Sequence, residues 1–184
     1  KQTFMYFNIT EIIIKKTAEV FKDSDISFSI NIEKEDLMSD RTMDFIYETF
    51  YEYPNPERVT FELVETELID SDNVLSGSIS RLKGLGCKIA IDDFGSGYSN
   101  FEYLLRIDAD YLKIDGSLIK DLDTSEEARV IVKSIVDFCK YSGMKTIAEF
   151  VSSENIYNEV KKIGINYCQG WYFGKPESLS KEVV

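Results

Sequence analysis

The sequence predicts an α/β chain of the (β/α)8 TIM-barrel-like kind, on three observations. Short runs rich in β-branched and aromatic residues alternate with stretches of helical periodicity, the pattern of parallel βαβ units. Glycines stand where the helical stretches should stop: Gly84, Gly86 and Gly143 each precede a β-rich run. Every β-rich run also ends at or near a polar side chain. In a closed barrel such ends converge on one face, whereas an open doubly wound sheet spreads them along an edge.

The elements follow in order. A helix opens the chain, Phe4 to Phe21, with Ile9, Ile12, Ile13 and Ala18 as an apolar stripe interrupted by Lys15, Lys16 and Glu19. Strands are expected at Ser27 to Ile32, Val59 to Val64, Lys88 to Ile91, Tyr111 to Ile114, Lys145 to Ala148 and around Tyr167 to Phe173. Helices are expected at Thr42 to Phe50, Asn73 to Lys83 and Glu126 to Tyr141. No Pro/Gly/Ser-rich stretch divides the chain, so residues 1–184 read as a single domain. A typical barrel has eight strands in about 250 residues, so this domain is expected to be N-terminally incomplete, with about two strands missing.

Composition removes whole classes of function. Cys87, Cys139 and Cys168 are odd in number and widely spaced, which argues against a disulfide framework or a zinc site and fits a reducing, cytoplasmic setting. Histidine is absent, so Ser-His and Cys-His catalysis and His-ligated metals are excluded. No apolar run is long enough to span a membrane, and the start lacks a signal-peptide pattern. The net charge of -12 disfavours nucleic acid and anionic membranes as partners. Any chemistry must use carboxylates, amides, lysine or oxygen-bound metals.

The strand ends supply such groups. Asp92-Asp93-Phe94-Gly95-Ser96-Gly97 follows the apolar run Ile89-Ala90-Ile91. Alone, a double aspartate is ordinary turn chemistry. Neighbours on a regular strand face opposite ways, so both carboxylates reach one site only where the strand bends, a bend that the two glycines permit. Glu62 interrupts a run that is otherwise apolar, and a carboxylate there needs a partner or a metal. Asn31 ends the first strand, and Lys113 is a cation inside an apolar run, suited to orienting water or to a structural ion pair. Glu149 and Gln169 complete the ring. Asn, Asp and Glu oxygens together suit Mg²⁺ or Mn²⁺, with Ca²⁺ as a less productive occupant.

In order along the chain, Phe28-Ser29-Ile30-Asn31-Ile32, Phe61-Glu62-Leu63-Val64-Glu65, Ile91-Asp92-Asp93-Phe94-Gly95-Ser96-Gly97-Tyr98-Ser99, Leu112-Lys113-Ile114-Asp115, Ile147-Ala148-Glu149 and Gln169-Gly170-Trp171-Tyr172-Phe173-Gly174-Lys175-Pro176 resemble the strand-end motifs of the EAL family of cyclic di-GMP phosphodiesterases. The resemblance implies metal-dependent hydrolysis of cyclic di-GMP to linear pGpG in bacterial signalling. It implies a two-metal site in which Asn31, Glu62 and Asp92 hold one ion and Asp92 bridges to a second held by Asp93 and Glu149. It further implies that Lys113 positions the attacking water, that Glu65 braces the Asp93 loop, that Gln169 lies at the substrate end and that Asp115 is structural. The loop after Asp93 resembles the family's dimer-coupled loop, implying a homodimer, and fused sensory or GGDEF domains are expected in the parent protein.

Two departures keep an alternative open. The Glu-Ala-Leu signature that names the family belongs to an earlier strand and has no match here. The family's Gly-Val-Glu after Glu149 is replaced by Phe150-Val151-Ser152. Serine cannot accept a proton as glutamate can, and Phe150 is expected to crowd the pocket rim. The alternative is a degenerate EAL domain that acts as a cyclic di-GMP receptor or interaction module.

Overall fold

A computed structural model describes the backbone of residues 2–65, 73–97 and 101–178, and the side chains of these except 2–8, 73 and 103. The described residues of Lys1–Ile89, with Arg106–Asp108, form one compact unit, and those of Ala90–Leu105 and Ala109–Glu177 form a second.

The first unit contains α1 (Gln2–Phe21), β1 (Phe28–Asn31), α2 (Lys34–Leu37), α3 (Asp40–Phe50), a 3-10 turn at Pro56–Arg58, β2 (Val59–Val64) and α4 (Asn73–Gly84). β1 and β2 pair in parallel, with Asn31 opposite Glu62. Phe28 and Ile30 on β1, and Val59, Phe61 and Leu63 on β2, are buried, while the residues between them are not. That alternation is the period of two of a strand with one face in the core. α3 starts at Ser39, whose side chain accepts a hydrogen bond from the Thr42 N–H at 3.3 Å, and buries Met43, Ile46 and Phe50. Phe50 meets Phe61 and Tyr53 edge to face, and Tyr53 donates to the Ala18 carbonyl at 2.9 Å.

Of the apolar stripe expected on α1, Ala18 is buried and the three isoleucines are not. Thr10, Ile14 and Ala18 are buried, whereas Ile9, Ile12 and Ile13 are half exposed. The helix carries apolar residues on two neighbouring faces, so periodicity establishes the helix but not which face meets α3 and β1, the elements it contacts. Arg58, 8% exposed, gathers the chain where α1 ends. Its guanidinium donates to the carbonyls of Ser24, of Ile26 at 3.1 Å, of Pro54 at 3.2 Å and of Phe21 at 3.4 Å. It thereby satisfies the Phe21 carbonyl, left over at the C-terminus of α1, and three loop carbonyls.

β3 (Lys88–Phe94) runs into the second unit, which continues with α5 (Phe101–Leu104), β4 (Tyr111–Ile114), α6 (Gly116–Ile119), α7 (Glu126–Ser142), β5 (Lys145–Ala148), α8 (Glu154–Ile163) and β6 (Tyr167–Cys168). β3 pairs with β4, β4 with β5 and β5 with β6, all in parallel. α7 is capped by Ser125, which accepts from the Ala128 N–H at 3.1 Å. It stops at Gly143, φ 80°, and buries Val132, Ile135, Val136 and Cys139. α8 is capped by Ser153.

β1 is one residue shorter at each end than the expected Ser27 to Ile32, and β3 and β6 end elsewhere than expected. β3 extends to Phe94 because it absorbs an irregularity instead of ending. β6 stops at Cys168, because Gln169 to Phe173 turn back on themselves, with the Phe173 N–H bonded to the Gly170 carbonyl at 3.0 Å. No helix among the described residues is long and apolar enough to cross a membrane.

Candidate metal centre and its lysine

In the first unit, Asn31 closes β1 and faces Glu62 across the ladder, so the two side chains project from the same side of the β1–β2 pair. Both line a cavity of about 320 Å³ with Glu33 and Asp36. Glu65, the first residue after β2, is 2% exposed.

In the second unit, the parallel ladder places Ile91 opposite Leu112 and Phe94 opposite Ile114. Three steps along β3 thus match two along β4. The surplus residue is a β-bulge, and it sets Asp92 and Asp93 together against Lys113. Asp93 takes φ 57°, a left-handed conformation that aspartate tolerates better than most residues. The expected bend is therefore present, but Asp93 itself makes it ahead of Gly95 and Gly97. Its result is a cluster in which ligand oxygens of Asp92, Asp93 and Glu149 all lie within 4.8 Å of one another.

Lys113, 5% exposed, holds this cluster from β4: its Nζ is 2.8 Å from Asp92 Oδ1 and 3.0 Å from Glu149 Oε1. Glu149 directly follows β5, anchored by its N–H to the Ile114 carbonyl at 3.1 Å. Gln169 directly follows β6, and its Nε2 donates to Glu149 Oε1 at 2.7 Å. This tie between Gln169 and Glu149 has no signature in the sequence, because it arises from the β5–β6 register. Asp115 caps α6, its carboxylate accepting from the Ser117 N–H at 2.9 Å.

Electrostatics matches the geometry. Burial, then the neighbouring Asp92 and Asp115, push the Asp93 carboxyl up, against an opposing pull from Lys113. Glu149 is likewise raised, first by burial and further by Asp92 and Asp93, while Lys113 draws it down. Two carboxylates that resist ionisation beside a third fit a divalent cation, which relieves their repulsion. The donors are all oxygen, as Mg²⁺, Mn²⁺ and Ca²⁺ prefer.

A buried lysine braced between carboxylates at the ends of parallel strands marks the chain as an α/β domain of the TIM-barrel-like class with a candidate metal centre. The chain belongs to the EAL domain family, whose model matches residues 1–176. It is 36% identical over 157 residues to the cyclic di-GMP phosphodiesterase PdeB of Shewanella oneidensis, across 85% of this chain and 18% of that protein. Among solved structures it resembles the PaMucR phosphodiesterase in complex with c-di-GMP, with TM-score 0.85, 25% identity, 95% of this chain and 74% of that one. It also resembles the calcium and cyclic di-GMP complex of Klebsiella pneumoniae BlrP1, with TM-score 0.78, 27% identity, 92% of this chain and 43% of that one. The chain spans between 18% and 26% of the length of three curated relatives that it matches.

Proposed function

We propose that this domain hydrolyses cyclic di-GMP to linear pGpG with divalent metals, in a cytoplasmic protein that works as a homodimer. The observation that carries this reading is the Asp92, Asp93 and Glu149 cluster held by Lys113 in a member of the EAL family. Asp92, Asp93 and Glu149 are the residues that would hold Mg²⁺ or Mn²⁺. Such ions supply neutralisation of the phosphodiester and a water of lowered pKa. Asn31 and Glu62 keep the ligand role, and Glu65 the bracing role, that the sequence resemblance gives them.

The chain's own groups do the positioning. Lys113 fixes Asp92 and Glu149 at hydrogen-bond distance and leaves an ammonium beside the reaction centre to orient the attacking water. Gln169 donates to Glu149 and so holds that carboxylate's orientation while lying at the substrate end. The relatives named as cyclic di-GMP phosphodiesterases support the substrate assignment.

A receptor reading is favoured by one observation: Phe150 and Ser152 stand where the family pattern has glycine and glutamate, and Ser152 is exposed. Incubating the intact protein with cyclic di-GMP and Mg²⁺ or Mn²⁺, and separating the nucleotides by chromatography, decides between them. pGpG formation supports the enzyme; micromolar binding without pGpG supports the receptor.

A further inference from the structure

Phe150 takes φ 53°, the left-handed region in which a bulky side chain is strained, yet 65% of the residue is exposed, so burial does not account for it. What holds it is a notch at the start of α6. Gly116 is buried there, and a Cβ built on it would stand 2.5, 2.7 and 2.9 Å from Cδ2, Cγ and Cβ of Phe150. One edge of the phenylalanine thus fills the space that a side chain at 116 would need. The backbone on both sides is tied down. The Glu149 N–H bonds the Ile114 carbonyl at 3.1 Å, and the Val151 N–H bonds the Gln169 carbonyl at 3.0 Å. Gly170, φ 151°, packs so closely that a Cβ there would stand 2.3 Å from the Val151 carbonyl oxygen. Between these ties, the left-handed turn at Phe150 sets the direction in which Glu149 leaves β5. Glu149 Oε1 faces Lys113 Nζ at 3.0 Å and accepts from Gln169 Nε2 at 2.7 Å, and a carboxylate with two fixed donors tolerates little rotation of its backbone.

We propose that the Phe150 ring and the Gly116 notch form a latch that positions Glu149, so that Phe150 acts on the site through the backbone. The inference rests on the proposed function only in giving Glu149 a metal to hold; the latch itself belongs to the metal-free chain. It is particular to this sequence, because Phe150 stands where the family pattern has glycine. Strained backbone persists at a functional loop where its surroundings over-determine it, and here two hydrogen bonds and a glycine-sized gap do so. Glycine at 150 would adopt φ 53° without strain but would free the turn to swing. Release of strain and loss of order therefore come from the same substitution, a combination that a bystander ring on the surface does not give.

Hydrogen exchange of the intact protein stripped of metal, read at the Glu149 and Val151 amides, tests the latch. Phe150→Gly should speed exchange at both by about tenfold, with an unchanged or higher midpoint of global unfolding. Gly116→Ala, which fills the notch and evicts the ring, should do the same. The two substitutions together should be no faster than either alone, because they break one contact. Phe150→Tyr keeps the ring and should exchange as wild type does. Calorimetric titration with Mn²⁺ alone should give a dissociation constant about tenfold higher for Phe150→Gly, as for the loss of a group that orients a ligand, and Phe150→Tyr should restore it. In turnover of cyclic di-GMP the loss should fall on kcat, with KM within about twofold. Unchanged exchange in Phe150→Gly, additive effects of the two substitutions, or equal and measurable Mn²⁺ affinities of wild type and Phe150→Gly overturns the latch, whatever the turnover shows. The expected exchange pattern in a protein that neither binds nor hydrolyses cyclic di-GMP sinks the proposed function and leaves the latch standing.

Discussion

Lys113 Nζ lies 2.8 Å from Asp92 Oδ1, at the point where β3 carries one residue more than β4. The bulge and the ion pair depend on each other. The extra residue turns both aspartates toward one partner, and the buried lysine, also 3.0 Å from Glu149, offsets the repulsion that results.

Removing that cation should therefore affect both stability and chemistry. Lys113→Ala leaves Asp92 and Glu149 without their shared partner and should destabilise the metal-free protein by about 2–4 kcal/mol. Turnover of cyclic di-GMP should fall by about two to three orders of magnitude. Divalent metal should restore part of the stability but none of the rate. Denaturant unfolding with and without Mn²⁺, beside single-turnover kinetics, measures both.

The raised carboxyls of Asp93 and Glu149 give a signed pH dependence. A group whose folded pKa exceeds its ordinary value adds stability that is full below that ordinary value and is lost as pH rises through the folded one. The window thus opens at the ordinary values, 3.8 for Asp93 and 4.5 for Glu149, and extends upward. In EDTA, Glu149→Gln should gain stability relative to wild type as pH rises through this window, since the amide never ionises. Thermal melts of the two proteins from acid to neutral pH test this, and a constant difference across the range would refute it.

Thiol reactivity should be unequal. Cys87 and Cys139 are buried, and burial pushes both thiols up to about 12. Cys168 is partly accessible beside Gln169, with a thiol also raised by burial. A disulfide reagent under native conditions at mildly alkaline pH should therefore modify Cys168 first and slowly. Cys87 and Cys139 should react only on unfolding, as mass spectrometry of the labelled peptides would show.

Arg58 should be a stability residue remote from the chemistry. Arg58→Ala leaves several part-buried carbonyls around the end of α1 without their donor, a loss of about 1–3 kcal/mol. Lysine at this position should recover only part of it, because one ammonium cannot serve carbonyls spread from Phe21 to Pro54. Equilibrium unfolding of the two variants measures the difference.

Much of this was legible in the residues, for identifiable reasons. The strands at Val59–Val64, Tyr111–Ile114 and Lys145–Ala148 coincide with β-branched runs bounded by turn residues, where local preference and tertiary fold agree. Lys113 stood out as a charge inside an apolar run, and Asp92, Asp93 and Glu149 as polar groups at the ends of successive β-rich runs. The bulge was not legible: a left-handed aspartate looks the same in sequence as an extended one, and only the pairing register fixes it. Nor was the whole buried face of α1, where Ile14 joins the expected Ala18 and the equally apolar Ile9, Ile12 and Ile13 stay half exposed. The four-residue helices α2 and α6 are too short to show a period. They are set by capping, α6 by Asp115 and α2 by the Glu33 and Asp36 box.

The most direct test of the central claim is nucleotide turnover by EDTA-stripped intact protein, resupplied with Mn²⁺, in parallel with Asp93→Asn. The account predicts pGpG from wild type only when metal is returned, and at least a hundredfold less from Asp93→Asn. Equal pGpG formation by both proteins, or undiminished turnover in EDTA, would contradict it.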